Sequence, residues 1–226
     1  MKIGIVLSGC GVKDGAEIHE SVLTLLAVRK NSADPVFMAP DLNQLDVVNH
    51  LTDETSPEKR NVITESARIA RGNIRDIKGV KEKELDALIF PGGYGAAKNL
   101  CDFAVKGENC AVNPDVSRLI KDMHAARKPV GFVCIAPVIC AAVFREDPKV
   151  KPRLTIGTDP GTAAKLEKMG AEHVSCGATE ICVDEKNLFV STPAYMSAQC
   201  ITEVEKGISN LVDTVVKIIS KSLKAR

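Results

Sequence analysis

The segment Pro129-Val130-Gly131-Phe132-Val133-Cys134-Ile135-Ala136-Pro137-Val138-Ile139-Cys140 places a cysteine where an apolar, strand-like run gives way to a helix-compatible one. Pro137 suits the first turn of a helix, and small Ala136 leaves room beside the thiol. A nucleophile elbow has this order: strand, reactive side chain at a sharp turn, small neighbour, helix. A helix N-terminus behind the sulfur would favour the thiolate. The bland alternative for Cys134 is packing, since a free cysteine is often a small buried hydrophobe. Cys140 lies six residues further on and reads as buried and inert.

Three further segments could meet that thiol. Ser8-Gly9-Cys10-Gly11-Val12-Lys13-Asp14-Gly15 follows the first strand-like run, and Ala16-Glu17-Ile18-His19-Glu20 then opens a helix. A dinucleotide fingerprint needs G-x-G-x-x-G; here Asp14 holds the third glycine's place and would repel phosphate. Glu17 can complement the helix dipole as readily as it can do chemistry. Phe90-Pro91-Gly92-Gly93-Tyr94-Gly95 ends another strand, either as a tight turn or as half of an oxyanion hole, since glycines let backbone N–H groups point into a cavity. Thr158-Asp159-Pro160-Gly161 follows a third run, where Asp159 is either a rim acid or a helix cap.

The elements that must position these residues alternate. Strand-like runs fall at Ile3–Leu7, Pro35–Ala39, Ala87–Phe90, Val130–Cys134, Leu154–Ile156, Ile181–Val183 and Leu188–Val190. Several are apolar throughout, as strands covered on both faces are. Helical spacing follows Gly15 and Asn113-Pro114, and shows best in Ile208, Leu211, Val212, Val215, Ile218 and Ile219. Thr52–Arg60 reads as a surface loop; Leu45–Leu51 and Asn61–Arg75 as helix or loop excursions. Arg60, Arg68, Arg71 and Arg75 form a solvated face, or one of them orients a carboxylate or an anionic ligand. The pattern predicts an α/β fold, an open and mostly parallel sheet with helices on both faces, whose ligands bind at the carboxyl ends of strands. The length, 226 residues, suits one domain over 1–226.

Composition removes several functions. Lys plus Arg total 30 and Asp plus Glu 29, and aromatics are 4% with no Trp. Neither a basic surface nor a stacking platform is on offer, so no nucleic-acid partner is expected. The longest uncharged apolar run, Val133–Phe144, has 12 residues, short of the roughly 20 that a membrane helix needs. Met1-Lys2-Ile3-Gly4-Ile5 runs directly into a strand pattern without a signal-peptide pattern, so a cytoplasmic, reducing location is expected. There are 8 Cys, but no pair has the close spacing of zinc ligands, and no metal is expected.

Taken together these blocks resemble the ThiJ/PfpI, or class I glutamine amidotransferase-like, superfamily, and within it the ElbB-type proteins linked to isoprenoid biosynthesis and glyoxalase activity. The resemblance is carried by Leu7–Val12, Asp14–Glu20, Arg60-Asn61-Val62, Phe90–Leu100, Cys134–Pro137 and Thr192-Pro193-Ala194-Tyr195-Met196, and spans essentially the whole chain. It implies a flavodoxin-like three-layer sandwich, usually homodimeric and free of cofactor. It implies Cys134 as nucleophile, Glu20 rather than Glu17 as the glutamate touching it, and the N–H groups of Gly93 and Ile135 as an oxyanion hole. Gly9, Cys10, Gly11, Glu17, Gly92, Tyr94 and Asp159 are expected to line the pocket.

The chain departs from amidotransferases in having Ile135 after the nucleophile and no histidine at Thr158-Asp159. His50 and His124 read as structural. His19 and Glu20 are helical neighbours diverging by about 100°, so they cannot both face the thiol. Without a Cys-His-Glu triad, glutamine hydrolysis is disfavoured. A small aldehyde is the expected substrate; the resemblance implies that glyoxal is converted to glycolate, through a Cys134 thioester with Glu20 as general acid/base. For that role Glu20 needs burial to raise its pKa. The rival is a redox- or metabolite-sensing protein whose elbow cysteine oxidises without turnover.

Overall fold

The computed structural model describes residues 1–224. Its strands are β1 (Lys2–Val6), β2 (Asp34–Ala39), β3 (Val47–Val48), β4 (Thr55–Ser56), β5 (Arg75–Asp76), β6 (Ala87–Phe90), β7 (Val130–Val133), β8 (Arg153–Leu154), β9 (Glu172–His173), β10 (Cys182–Asp184) and β11 (Phe189–Thr192). The helices are α1 (Ile18–Lys30), α2 (Val62–Ile69), α3 (Tyr94–Lys98), α4 (Phe103–Lys106), α5 (Pro114–Ala125), α6 (Pro137–Phe144), α7 (Pro160–Lys168) and α8 (Ile201–Lys224). Seven strands make one sheet in the order β10-β11-β7-β6-β1-β2-β5. All its pairings are parallel except β10 with β11. This is the α/β fold with a mostly parallel sheet expected from the alternating runs, and the flavodoxin-like sandwich that the resemblance implies.

Side-chain alternation along the strands divides the core. Ile3, Ile5 and Leu7 pack with Val28 of α1 and with Ile208, Leu211, Val212 and Val215 of α8. Val6 faces the other way, into a cluster with Phe90, Phe132, Leu119 and Ile120 that α5 and α6 cover. Each large apolar side chain buried this way stabilises by about 1.5–3 kcal/mol, so α8 is held by its stripe rather than by helix propensity. Gly131 admits Leu211 closely: a Cβ there would sit 2.9 Å from Leu211 Cδ2. Asn113 caps α5, accepting from the N–H groups of Asp115 and Val116, with Pro114 in the first turn.

The run Leu154–Ile156 departs from expectation. Only Arg153–Leu154 is strand, and it pairs with β9 in a separate two-stranded sheet. The chain turns at Gly157, φ 96°, and Thr155 N–H donates to Ser191 Oγ at 2.9 Å instead of joining the main ladder. The Leu45–Leu51 and Thr52–Arg60 segments contain the β3–β4 hairpin, and Asn61–Arg75 contains α2. No helix among the described residues is long and apolar enough to cross a membrane.

Candidate active site

Cys134 follows β7 directly and has φ 61°, left-handed backbone that non-glycine residues rarely adopt. Its own N–H donates to Thr192 O of β11 at 2.9 Å, which ties the turn to the neighbouring strand. Ala136 N–H then donates to Val133 O at 3.0 Å, and α6 begins. This is a strained strand-to-helix elbow, held by the sheet beneath it and the helix behind it.

Glu20 reaches the thiol from the first turn of α1. Its carboxyl accepts from Gly92 N–H at 2.9 Å and from Tyr195 N–H at 3.3 Å, and it lies beside Cys134 across Gly92. The side chain is fully buried, with no cation among its polar partners. Burial and the nearby Glu17 carboxylate push its pKa up to about 8, so it holds a proton at neutral pH. Glu17 itself caps α1, accepting from Glu20 N–H at 2.6 Å, and this local bond aims the Glu20 backbone.

The backbone N–H groups of Gly93 and Ile135 lie near the Cys134 sulfur and favour its anion. They therefore converge where an oxyanion formed beside that sulfur would be stabilised. Gly92 can only be glycine here: a Cβ would lie 2.5 Å from Cys134 Cβ and 2.7 Å from Glu20 Oε2. Gly93, φ 90°, lies against the glycine-rich rim, and a Cβ there would meet Glu17 N at 2.4 Å. Tyr94 N–H donates to Val12 O and Gly95 N–H to Gly15 O, both at 2.8 Å. The two glycine turns thus interlock and present the oxyanion donors.

Cys134 is 7% exposed. Burial and the Glu20 carboxyl push its thiol well above the ordinary range, against the two N–H groups, which lower it. The helix end and the amides favour the anion, but desolvation outweighs them in the closed site.

A cavity of about 370 Å³ opens over this group. Gly93, Cys134 and Ile135 form its floor, with Val12, Ala97, Phe103 and Met196 as apolar walls. Tyr94, Thr162 and Tyr195 also line it. Of the expected lining residues, Tyr94 lines it and Gly92 supports its floor. Gly9, Cys10, Gly11, Glu17 and Asp159 do not line it. Gly9 and Gly11 serve the turn: Gly9 N–H donates to Ser66 Oγ, and a Cβ on Gly11 would strike the His50 ring at 2.7 Å. Cys10 instead lies near Glu65 and Arg68 of α2. Asp159 caps α7, accepting from Thr162 N–H at 2.7 Å, because the strand before it is outside the main sheet. Asp14 is structural, accepting from Val48 N–H at 2.8 Å.

Sequence reasoning missed Tyr195 and Met196 as walls, although both belong to the Thr192–Met196 block that carried the resemblance. His124 packs on Phe144 and Phe189, and His50 holds Lys13 N–H and Val48 O, so both are structural as expected. His19 points away from the thiol. Its Nδ1 lies 2.7 Å from the Tyr195 hydroxyl.

A cysteine on a strand-to-helix elbow, a buried glutamic acid and a glycine turn, set on a mostly parallel sheet, define a class I glutamine amidotransferase-like site. The comparisons agree. The chain is 42% identical to the rat "ES1 protein homolog, mitochondrial" over 97% of its length and 85% of that protein's. It is also 42% identical to the human "Glutamine amidotransferase-like class 1 domain-containing protein 3, mitochondrial", over 97% and 84%. A crystal structure of an Ehrlichia chaffeensis isoprenoid biosynthesis protein with an amidotransferase-like domain superposes with TM-score 0.89 at 34% identity, covering 96% of this chain and 99% of that one. No protein-family model matches. The chain belongs to the class I glutamine amidotransferase-like family. The cytoplasmic location expected from the sequence is overturned by the mitochondrial names of the rat and human relatives. Targeting is an address read by receptors, so the charge and hydropathy of a folded domain do not carry it.

Proposed function

We propose that the chain is an ElbB-type, cofactor-independent glyoxalase that converts glyoxal to glycolate. The observation that carries this reading is the fully buried Glu20 carboxyl set beside Cys134 across Gly92, with the Gly93 and Ile135 N–H groups near the same sulfur and, among the described residues, no histidine bonded to it. Such a group lacks the base that amide hydrolysis uses, and suits an electrophile that is already activated. The apolar cavity walls hold no lysine or arginine to receive a charged amino acid.

Cys134 Sγ adds to one aldehyde carbon, C1; the new hydroxyl takes the Glu20 proton and the thiol proton leaves to solvent, so Glu20 is now a carboxylate and a base. Glu20 then takes the C1 hydrogen as a proton and returns it to C2. C1 is oxidised as C2 is reduced, so no external oxidant enters. The resulting glycolyl thioester is hydrolysed by water, which releases glycolate and the thiol. Gly93 and Ile135 hold the C1 oxygen whenever it carries charge. Glyoxal loss and glycolate appearance with Cys134→Ser and Glu20→Gln test the scheme; wild-type turnover in both variants would sink it.

The redox-sensor alternative is less well supported, because sensor thiols are exposed and acidic and Cys134 is neither. The homodimer that the resemblance implies would cover Ile18, Val22 and Leu26, an exposed stripe at helical spacing on α1. Sedimentation of Leu26→Glu beside wild type tests it.

A further inference from the structure

The Cys134–Glu20 pair and its two amides leave one atom of the reaction unserved. When the C1 hydrogen leaves as a proton, the C2 oxygen takes up charge and must be protonated. Glu20 is then carrying the C1 proton, and the floor amides hold the other oxygen.

Tyr195 is placed for that oxygen. It lines the cavity that contains Cys134 and Ile135, and its backbone N–H is bonded to Glu20 Oε1, so ring and acid share one anchor. Ala194 before it is buried with φ 44°. That strained backbone, in the short Ala194–Met196 turn after β11, is what brings Tyr195 to the cavity. Its hydroxyl meets His19 Nδ1 at 2.7 Å, with the rings tilted 49° at 5.9 Å. Glu17 Oε1 lies 4.0 Å from the same nitrogen. One turn of α1 therefore holds both arms: Glu20 points inward to sulfur, and His19 points outward to the phenol. The His19 side chain is 55% exposed, so it can exchange protons with water.

Building on the glyoxalase reading, we propose that Tyr195 is a third catalytic group, which protonates the C2 oxygen of the enediolate, and that His19 positions its hydroxyl and returns its proton from solvent. The balance is one proton from Tyr195 to the C2 oxygen and one from solvent through His19 to the phenolate. The C1 hydroxyl proton goes to solvent as the thioester carbonyl forms. The ionisable groups acting on the phenol are Glu17, Glu20 and Cys200, together with His19. Burial and the first two keep the phenol protonated, hence a donor, at neutral pH.

The test is steady-state conversion of glyoxal to glycolate by wild type, Cys134→Ser, Tyr195→Phe, His19→Ala and His19→Asn. Tyr195→Phe keeps the ring and the backbone bond to Glu20; kcat is expected to fall about 10²-fold, the scale of one acid/base group, with KM changed little. His19→Ala is expected to lower kcat about tenfold, less than the 10²–10⁴-fold of a direct acid/base group, because it acts through Tyr195. His19→Asn, whose amide can hold the hydroxyl but cannot carry a proton, should restore only part of kcat and make turnover rise with buffer concentration, which a merely structural role would not produce. A wild-type kcat in Tyr195→Phe, with Cys134→Ser inactive, overturns this assignment and leaves the glyoxalase reading intact. A wild-type chain inert toward glyoxal, or a fully active Cys134→Ser, overturns both.

Discussion

Two buried glutamates lie in the first turns of neighbouring helices, and their surroundings give them different work. Glu20 of α1 has two backbone N–H donors, a thiol and a nearby carboxylate, and it holds its proton to about pH 8. Glu65 of α2 is nearly as buried, but Arg68 Nε meets its Oε2 at 2.8 Å, and Arg60 lies 4.0 Å away. A cation compensates the desolvation of a carboxylate; neutral N–H groups compensate less, and a second carboxylate adds to the cost. The first arrangement makes an acid poised for proton transfer. The second makes a structural ion pair beside Cys10. The arginine expected to orient a carboxylate is thus Arg68, and its carboxylate is outside the active site.

The largest effect that could break this contrast is on turnover. Glu20→Gln should lower glyoxal conversion by about 10²–10⁴-fold, while Glu65→Gln leaves it within about twofold, as a buried pair with no substrate contact should. Equal losses in both would remove the distinction, and glycolate assays on the two purified variants decide it. Gly92→Ala should come next. Its Cβ would overlap Cys134 and Glu20, and overpacking of this kind costs about 1–3 kcal/mol. Denaturant unfolding should show that loss, with turnover reduced because the same atoms carry the chemistry.

Most of this arrangement was legible from residue order. Cys134 is local: an apolar run, then Ala136-Pro137, announces an elbow without tertiary knowledge. Glu20 needed the family resemblance, since spacing alone left Glu17 as good a candidate, and the cap bond from Glu20 N–H explains why both acids are present. The failures have one cause. Asp159, Cys10, Gly9 and Gly11 were placed in the pocket because each follows a strand-like run, but pocket membership depends on strand order and on the turn at Gly157. Tyr195 stands 175 residues from Glu20, and no local pattern links the two.

Stability against pH reports on the Glu20 carboxyl directly. The Glu20 carboxyl titrates near 4.5 when unfolded and near 8 when folded. Between those values the folded state holds a proton that the unfolded state releases. Its contribution is therefore full below about pH 4.5, declines as pH rises to about 8, and is flat above. At about 1.4 kcal/mol per pH unit, the swing has a ceiling of roughly 5 kcal/mol. Glu20→Gln loses a constant amount, because its amide cannot accept from both the Gly92 and Tyr195 N–H groups, but it loses the pH-dependent part as well. The wild-type Tm should fall relative to the variant's by up to about 10 °C between about pH 5 and pH 8. Parallel melting curves would remove the raised pKa from the account.

The smallest effect reports on Cys10. Burial and the Glu65 charge raise its thiol pKa, and the Arg68 charge lowers it. Glu65→Gln should therefore speed alkylation of Cys10 near pH 8, and Arg68→Ala should slow it, each by a factor of a few. Arg68 is largely exposed, and such a charge acts through screened solvent. Peptide mass analysis must follow Cys10 itself, because Cys200 is also exposed and its thiol pKa is lowered. Opposite shifts at Cys10 with unchanged glycolate formation would show that the arginine-paired acid tunes only its own neighbourhood. A change in turnover with either variant would instead mean that the glycine rim between the two sites transmits the Glu65 charge to Cys134.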